Sequence, residues 1–336
     1  MLSEIYTSGA TRICRVATST TGKVCEKSQN RPSTPCRYDS KNEAMASSSN
    51  AQTGKTAARP KVLKADQLDK LPDVAALEQL ALKTTMSPED PALRRAQLLV
   101  YDAWGARDAR SRNALAKRAL KLSPFCADAW TILADASGLT PDEKGSYLTR
   151  AVAAGALSLG PGGFEEFAGH FWGFHETRPY MRARERLSHH LWTCGLRKDA
   201  IAEIEDMLLL NPGDNQGLRY TLLSWLLHQG DDTRVDALLA KQNDDEGAFL
   251  SWTRVLMALR AGEESKALSL MKSEAMSANS HIGTELTRPK PSIKPSRGYY
   301  TLGGKDEAET YVKLYGFAWI QTPGSLEWLK ELPKRT

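Results

Sequence analysis

Two segments of this 336-residue chain end alike, and that shared ending restricts the fold more than any other feature. Ala119-Leu120-Lys121-Leu122-Ser123-Pro124 and Met207-Leu208-Leu209-Leu210-Asn211-Pro212 each close an apolar-rich stretch with a polar residue and a proline. In the first, Leu115, Ala116, Ala119 and Leu120 recur three and four residues apart, as one helical face would. Proline lacks the N–H a helix needs and clashes with the carbonyl four residues back, so each stretch stops there. Two helices of this length joined by a short turn make a helical hairpin.

The same period runs along most of the chain. Leu68, Leu71, Val74, Leu77, Leu80 and Ala81 mark a helix over 63–83, with Pro72 in its first turn, where proline is tolerated. After Ser87-Pro88-Glu89-Asp90-Pro91 a helix continues through Leu98, Leu99 and Trp104 to Gly105, and the next spans Asp108 to Leu122. Gly217 to Gly230 pairs with Asp231 to Lys241, and Ala248 to Ala261 with Glu263 to Met276. Lys305 to Thr322 reads as a last helix.

The string from Ala119 to Trp130 resembles the junction between two tetratricopeptide repeats, in which the closing proline precedes the next aromatic by six residues, as Pro124 precedes Trp130. With Pro212 in the closing place, Leu187, Ser188, Leu191, Gly195, Ala200, Ile204 and Met207 fall on that family's large, small, large, turn, small, large and medium positions. The resemblance implies an all-α fold, a right-handed α-solenoid of tetratricopeptide-like helical hairpins. Ser188 and Ala200 would be small because two helices cross closely there, while Leu187, Leu191 and Ile204 fill the seam. In this reading residues 61–280 form the repeat domain. Residues 281–304, with Pro289, Pro291 and Pro295, form a long Pro-rich loop or crossover, and 305–336 a C-terminal helix or cap.

Pro124 and Pro212 lie 88 residues apart, about 20 more than two repeats of about 34 residues would give. The excess maps to an aromatic-rich insertion at about 158–178, where Gly160-Pro161-Gly162-Gly163 precedes Phe164, Phe167, Phe171, Trp172 and Phe174. One reading makes it an inserted helix whose aromatics wedge into the repeats, with Thr177 to Tyr180 starting the next helix. The other sets aromatic and arginine side chains on a concave face to clasp a partner, these being the residues that dominate interface energies.

Glu176-Thr177-Arg178-Pro179-Tyr180-Met181-Arg182-Ala183-Arg184, Leu191-Trp192, Ala200-Ile201, and later Asp306 to Tyr311 with Trp319, resemble the suppressor of tumorigenicity seven family and its bacterial relatives over roughly 90–330. The resemblance implies a fold and an interaction role rather than a reaction. This chain departs from the family pattern at Ser280, where a proline is expected. Tetratricopeptide arrays that grip chaperone C-terminal carboxylates use Lys and Asn on the inner helices. Here the corresponding places hold Gln97, Tyr101, Glu185 and His189, so that clamp is not expected.

Residues 1–60 are rich in Ser, Thr, Asn, Gly and Lys without a sustained apolar period, which predicts a disordered basic tail. The net charge of +5 concentrates there: 11 Lys/Arg against 4 Asp/Glu through residue 65 leave 34 against 36 beyond it. No cationic stripe is therefore expected on the folded body, where nucleic-acid proteins usually carry one. No apolar run approaches the length of a membrane span, and five widely spaced cysteines fit a reducing, cytoplasmic setting. Cys14, Cys25 and Cys36, eleven apart, lack the close pairing of zinc ligands. His170 with His175 and His189 with His190 diverge on a helix, so no metal is expected. No nucleophile elbow, zinc-protease motif, phosphate loop or dinucleotide fingerprint occurs.

These features together predict a non-enzymatic, cofactor-free scaffold that holds another protein's peptide or helix in the concave face. The candidate contacts are Trp172, His175, Glu176, Arg178, Tyr180, Arg182, Arg184, Asn215 and Arg219. The alternative is an RNA-binding helical repeat using Arg178, Tyr180, Arg182 and the basic tail.

Overall fold

The computed structural model describes residues 71–84, 86–242, 245–289 and 300–331, and every regular element among them is a helix. The expected tail at 1–60, the start of the first predicted helix and the prolines 291 and 295 lie outside the described residues. The chain divides into two compact units, Met1–Phe167 with His175–His190, and Ala168–Phe174 with Leu191–Thr336.

In the first unit α1 (Val74–Lys83) starts after Asp73, whose carboxylate accepts the Ala76 N–H at 2.8 Å. Pro72 thus precedes the cap rather than entering the first turn as expected. The next helices are α2 (Pro91–Gly105) and α3 (Ala109–Leu122), opened by Asp90 and Asp108, each accepting the N–H three residues on. Side-chain oxygens at these positions satisfy amides that have no helical partner. Helix α4 (Ala127–Ala134) is followed by α5 (Pro141–Ser158), opened by a reciprocal Thr140–Glu143 capping box. Helix α2 packs on α3, and α4 on α5, so neighbouring helices pair as the prolines and glycines between them imply.

The proline-to-aromatic spacing has a direct cause. Proline cannot donate a backbone hydrogen bond, but its carbonyl can accept one, and the indole Nε1–H of buried Trp130 donates to Pro124 O at 2.7 Å. Trp130 thereby fixes how α4 leaves the junction.

The 158–178 insertion is not the expected helix. It forms a single turn, α6 (Gly163–Glu166), and then a chain of turns before α7 (Arg178–Thr193). Gly160, Gly162 and Gly169 all have φ between 72° and 82°, a left-handed backbone that interrupts a right-handed helix and favours glycine. The aromatics do bury: Phe164, Phe167 and Phe171 are core residues, whereas Phe174 is exposed.

The second unit holds α8 (Arg197–Leu210), α9 (Leu218–Gln229), α10 (Asp232–Lys241), α11 (Ala248–Arg260) and α12 (Glu264–Leu270). Helix α12 runs on through a π-helical turn, Met271–Ala275, to Ala278. Three further helices follow: α13 (His281–Leu286), α14 (Lys305–Ile320) and α15 (Ser325–Glu331). Helix α13 was expected to be loop; it forms because Ile282 and Leu286 bury one face, and it packs against α14. Asn279 anchors this region. Its Nδ2 donates to Gly304 O and Glu307 Oε2, its Oδ1 accepts the His281 N–H, and its carbonyl accepts from Trp252 Nε1, all within 3.0 Å.

Ser188 and Ala200, the expected small residues, are both fully buried. A close helix crossing that went unread in the sequence lies at Gly155 of α5. A Cβ there would sit 2.9 Å from Tyr180 Cα and 3.3 Å from the Ala127 Cβ. Gly155→Ala is expected to cost about 1–3 kcal/mol by overpacking and to lower the melting temperature by several degrees. Gly105→Ala, where nothing lies within 4 Å, should be neutral or stabilising in the same calorimetric comparison.

Candidate functional site

Helix α2 buries Ala96, Val100 and Ala103 and leaves Leu98, Tyr101 and Trp104 61, 49 and 47% exposed. Of Leu98 and Trp104, read in the sequence as part of the helix's apolar face, Leu98 thus lies opposite its core and Trp104 on its flank. Small residues on the inward face let α2 approach its neighbours, and the large apolar ones turn outward. Leu98 and Tyr101 border a cavity of about 370 Å³ that is also lined by Leu93, Phe125, Pro179 and Gln97, among others. Ser158, Arg94, His175 and Glu176 add polar groups to its wall.

Beside this cavity a polar node joins three helices. Asp128, in the first turn of α4, is 1% exposed yet carries a carboxylate. Arg182 of α7 donates to it through Nε at 2.9 Å and Nη2 at 2.5 Å, and Gln97 Nε2 of α2 donates at 2.8 Å. A buried charge is tolerated only with such compensation. The Arg182 guanidinium also lies 5.2 Å from the Trp104 ring centroid, so one face of that indole is covered by a cation. Gln97 Oε1 receives the Cys126 thiol at 3.7 Å, and burial pushes that thiol up to about 12, which keeps it protonated and unreactive.

The predicted contact residues fall into two sets. His175, Glu176, Arg178, Tyr180, Arg182 and Arg184 belong to the first unit, and Trp172, Asn215 and Arg219 to the second. His175 and Glu176 are exposed and line the cavity. Arg178 Nη1 is 3.3 Å from His175 Nδ1, close to the same rim. Tyr180 and Arg184, expected on the binding face, are instead core residues at 5 and 2% exposure. The Tyr180 ring packs edge-on against Phe164, and Arg184 Nη1 donates to the Tyr180 hydroxyl at 3.4 Å. The RNA alternative has no exposed Tyr180 ring to act through, and its Arg182 is held by Asp128.

In the second unit Arg219 is also engaged internally. Its Nη1 meets Asp214 Oδ2 and its Nη2 meets Asp245 Oδ2, both at 2.9 Å, and its guanidinium lies 4.4 Å from the Tyr220 ring centroid. Asp214 caps the start of α9 by accepting the N–H groups of Leu218 and Arg219. Asn215 is exposed, and the Trp172 N–H donates to Asn211 Oδ1. Leu93, Leu98, Phe125 and Pro179 were not foreseen as site residues. The available signal was the Leu98, Tyr101, Trp104 spacing, a second apolar stripe on a helix that already had one.

Removing Arg182 while leaving Asp128 should expose the cost of an unpaired buried carboxylate. Arg182→Met is expected to destabilise by about 3 kcal/mol in urea unfolding. Arg182→Met with Asp128→Leu should recover more than half of that loss; equal destabilisation of both variants would contradict the node.

No helix among the described residues is long and apolar enough to cross a membrane, and no cluster of three or more His, Cys, Asp or Glu there could hold a metal ion. No protein-family model, no curated protein and no solved structure matches the chain.

Proposed function

We propose that this chain is a non-enzymatic, cytoplasmic, tetratricopeptide-like scaffold, a right-handed solenoid of helical hairpins, that holds a peptide segment of another protein. The observation that carries this reading is the cavity beside α2. Leu98 and Tyr101 are exposed there, and together with Leu93, Phe125 and Pro179 they offer an apolar seat bordered by Arg94, His175 and Glu176. Large apolar side chains held in water on a rigid helix are costly unless something covers them, and a contiguous group of them marks an interaction site. A cavity of about 370 Å³ lies within the range of small-molecule and anchor-residue pockets. It suits one or two apolar side chains of an extended or helical peptide, with the polar rim fixing orientation.

The Asp128–Arg182–Gln97 node supports the same reading from the inside. It holds α2, α4 and α7 by side chains that are themselves committed, so the wall of the groove is preformed and loses little entropy on binding. The resemblance to the suppressor of tumorigenicity seven family agrees with an interaction role, and the groove lies within the stretch that carries it.

Selection of peptides from a random display library against residues 61–336 tests the proposal. Enriched peptides should bind with micromolar or tighter affinity, and Leu98→Asp with Tyr101→Ala should weaken that binding at least about tenfold, equivalent to about 1.4 kcal/mol. Both positions are exposed, so the melting temperature should stay within about a degree or two of the parent's. Failure to enrich any peptide, or binding indifferent to both substitutions, would contradict the groove.

A further inference from the structure

The balanced charge of the chain beyond residue 65 conceals a local asymmetry. Helix α3 carries Arg110, Arg112, Lys117, Arg118 and Lys121 and no acidic residue from Ala109 to Leu122. Arg110, Ala114, Lys117, Arg118 and Lys121 follow one another at intervals of four, three, one and three, which puts them on one helical face. The opposite face is the buried one, holding Ala116, Ala119 and Leu120. Arg110, Arg118 and Lys121 are exposed, as is Arg107 in the turn before the helix. Among the described residues none of these four has an ion-pair partner. Asp108, the nearest carboxylate in sequence, points into the helix start, where its oxygens accept the Ser111 N–H and hydroxyl. The folded body thus has the cationic stripe that the charge totals argued against.

From Arg110 to Lys121 the stripe runs about 16 Å at the rise of an α-helix. The side chain at its centre is Ala114, and Ser111 lies along its edge, so no bulky apolar group stands among the cations; Leu122, 43% exposed, lies only at the end. That composition selects among anionic partners. A folded protein gains affinity from apolar or aromatic anchors, and an interfacial helix inserts Trp, Phe or Leu between lipid headgroups. A nucleic-acid backbone needs neither: neutralising phosphates and releasing their counterions is sufficient, and arginine matches phosphate with paired donors. We propose that the outward face of α3 docks the phosphate backbone of a nucleic acid without reading its sequence, at a surface distinct from the peptide groove. The stripe carries no base-reading or stacking groups, so affinity should depend on charge and length alone.

The test is fluorescence anisotropy of the full chain with a labelled single-stranded RNA of about 20 nucleotides and a DNA duplex of equal length, titrated at several salt concentrations. The stripe variant is Arg110→Glu with Arg118→Glu. A charge-matched control is Lys198→Glu with Lys313→Glu, two exposed lysines of the second unit. The stripe variant should bind at least about tenfold more weakly, with the slope of log affinity against log salt shallower by about 1.5, while the control stays close to the parent. Because any contribution of the segment before residue 71 is common to all forms, the comparison isolates α3. Absence of binding by the parent, or equal losses in both variants, would overturn the proposal. So would a stripe-dependent loss of binding to vesicles of equal parts phosphatidylserine and phosphatidylcholine with oligonucleotide binding unchanged.

Discussion

A single buried carboxylate organises the first unit. Asp128 is almost wholly removed from water, and an ionised group in that position is supportable only if every oxygen finds a donor. Those donors come from two other helices, Arg182 on α7 and Gln97 on α2, so satisfying one charge fixes three elements against one another. Ion pairs of this kind contribute less to net stability than to the choice of one arrangement, because desolvation offsets much of the attraction. Here the arrangement specified is the wall of a groove. With the buried face of α2 made of Ala96, Val100 and Ala103, its large residues have nowhere to go but outward, onto that groove.

The second unit solves a similar problem with another acid–arginine set. Asp214 sits at positive φ after Pro212 and Gly213, caps α9, and is held by Arg219, which Asp245 and Tyr220 also contact. Arg219 therefore stabilises a helix junction. A carboxylate at the start of a helix paired with an arginine occurs in both units, following Pro124 in one and Pro212 in the other. The two junctions that look alike in the sequence are alike in that physical respect as well.

Much of the helical layout was legible because its signals are local. Proline stops, turn glycines and three-and-four spacing act over a few residues, and they located α2, α3, α8 and α9 closely. What failed depended on contacts remote in sequence. Tyr180 and Arg184 look like surface recognition residues until Phe164, supplied by the insertion, is placed on the Tyr180 ring. Leu98 and Trp104 count as core in any periodicity argument, because hydrophobicity does not say which of two apolar stripes a neighbour will cover. The aromatic stretch after Gly163 reads as helix by composition, yet it forms one turn and the left-handed Gly169 keeps it from continuing. The cationic face of α3 was hidden by adding up charge over the whole body instead of over one helix face.

The central claim is that the α2 side of the first unit is a preformed seat for a peptide. Hydrogen–deuterium exchange of the full chain, with and without a library-selected peptide, measures it most directly, since amides slow only where binding suppresses local opening. The account predicts added protection over Leu93 to Tyr101 and the first turns of α7, with the second unit unchanged. Protection confined to the second unit, or spread evenly along the chain, would contradict it.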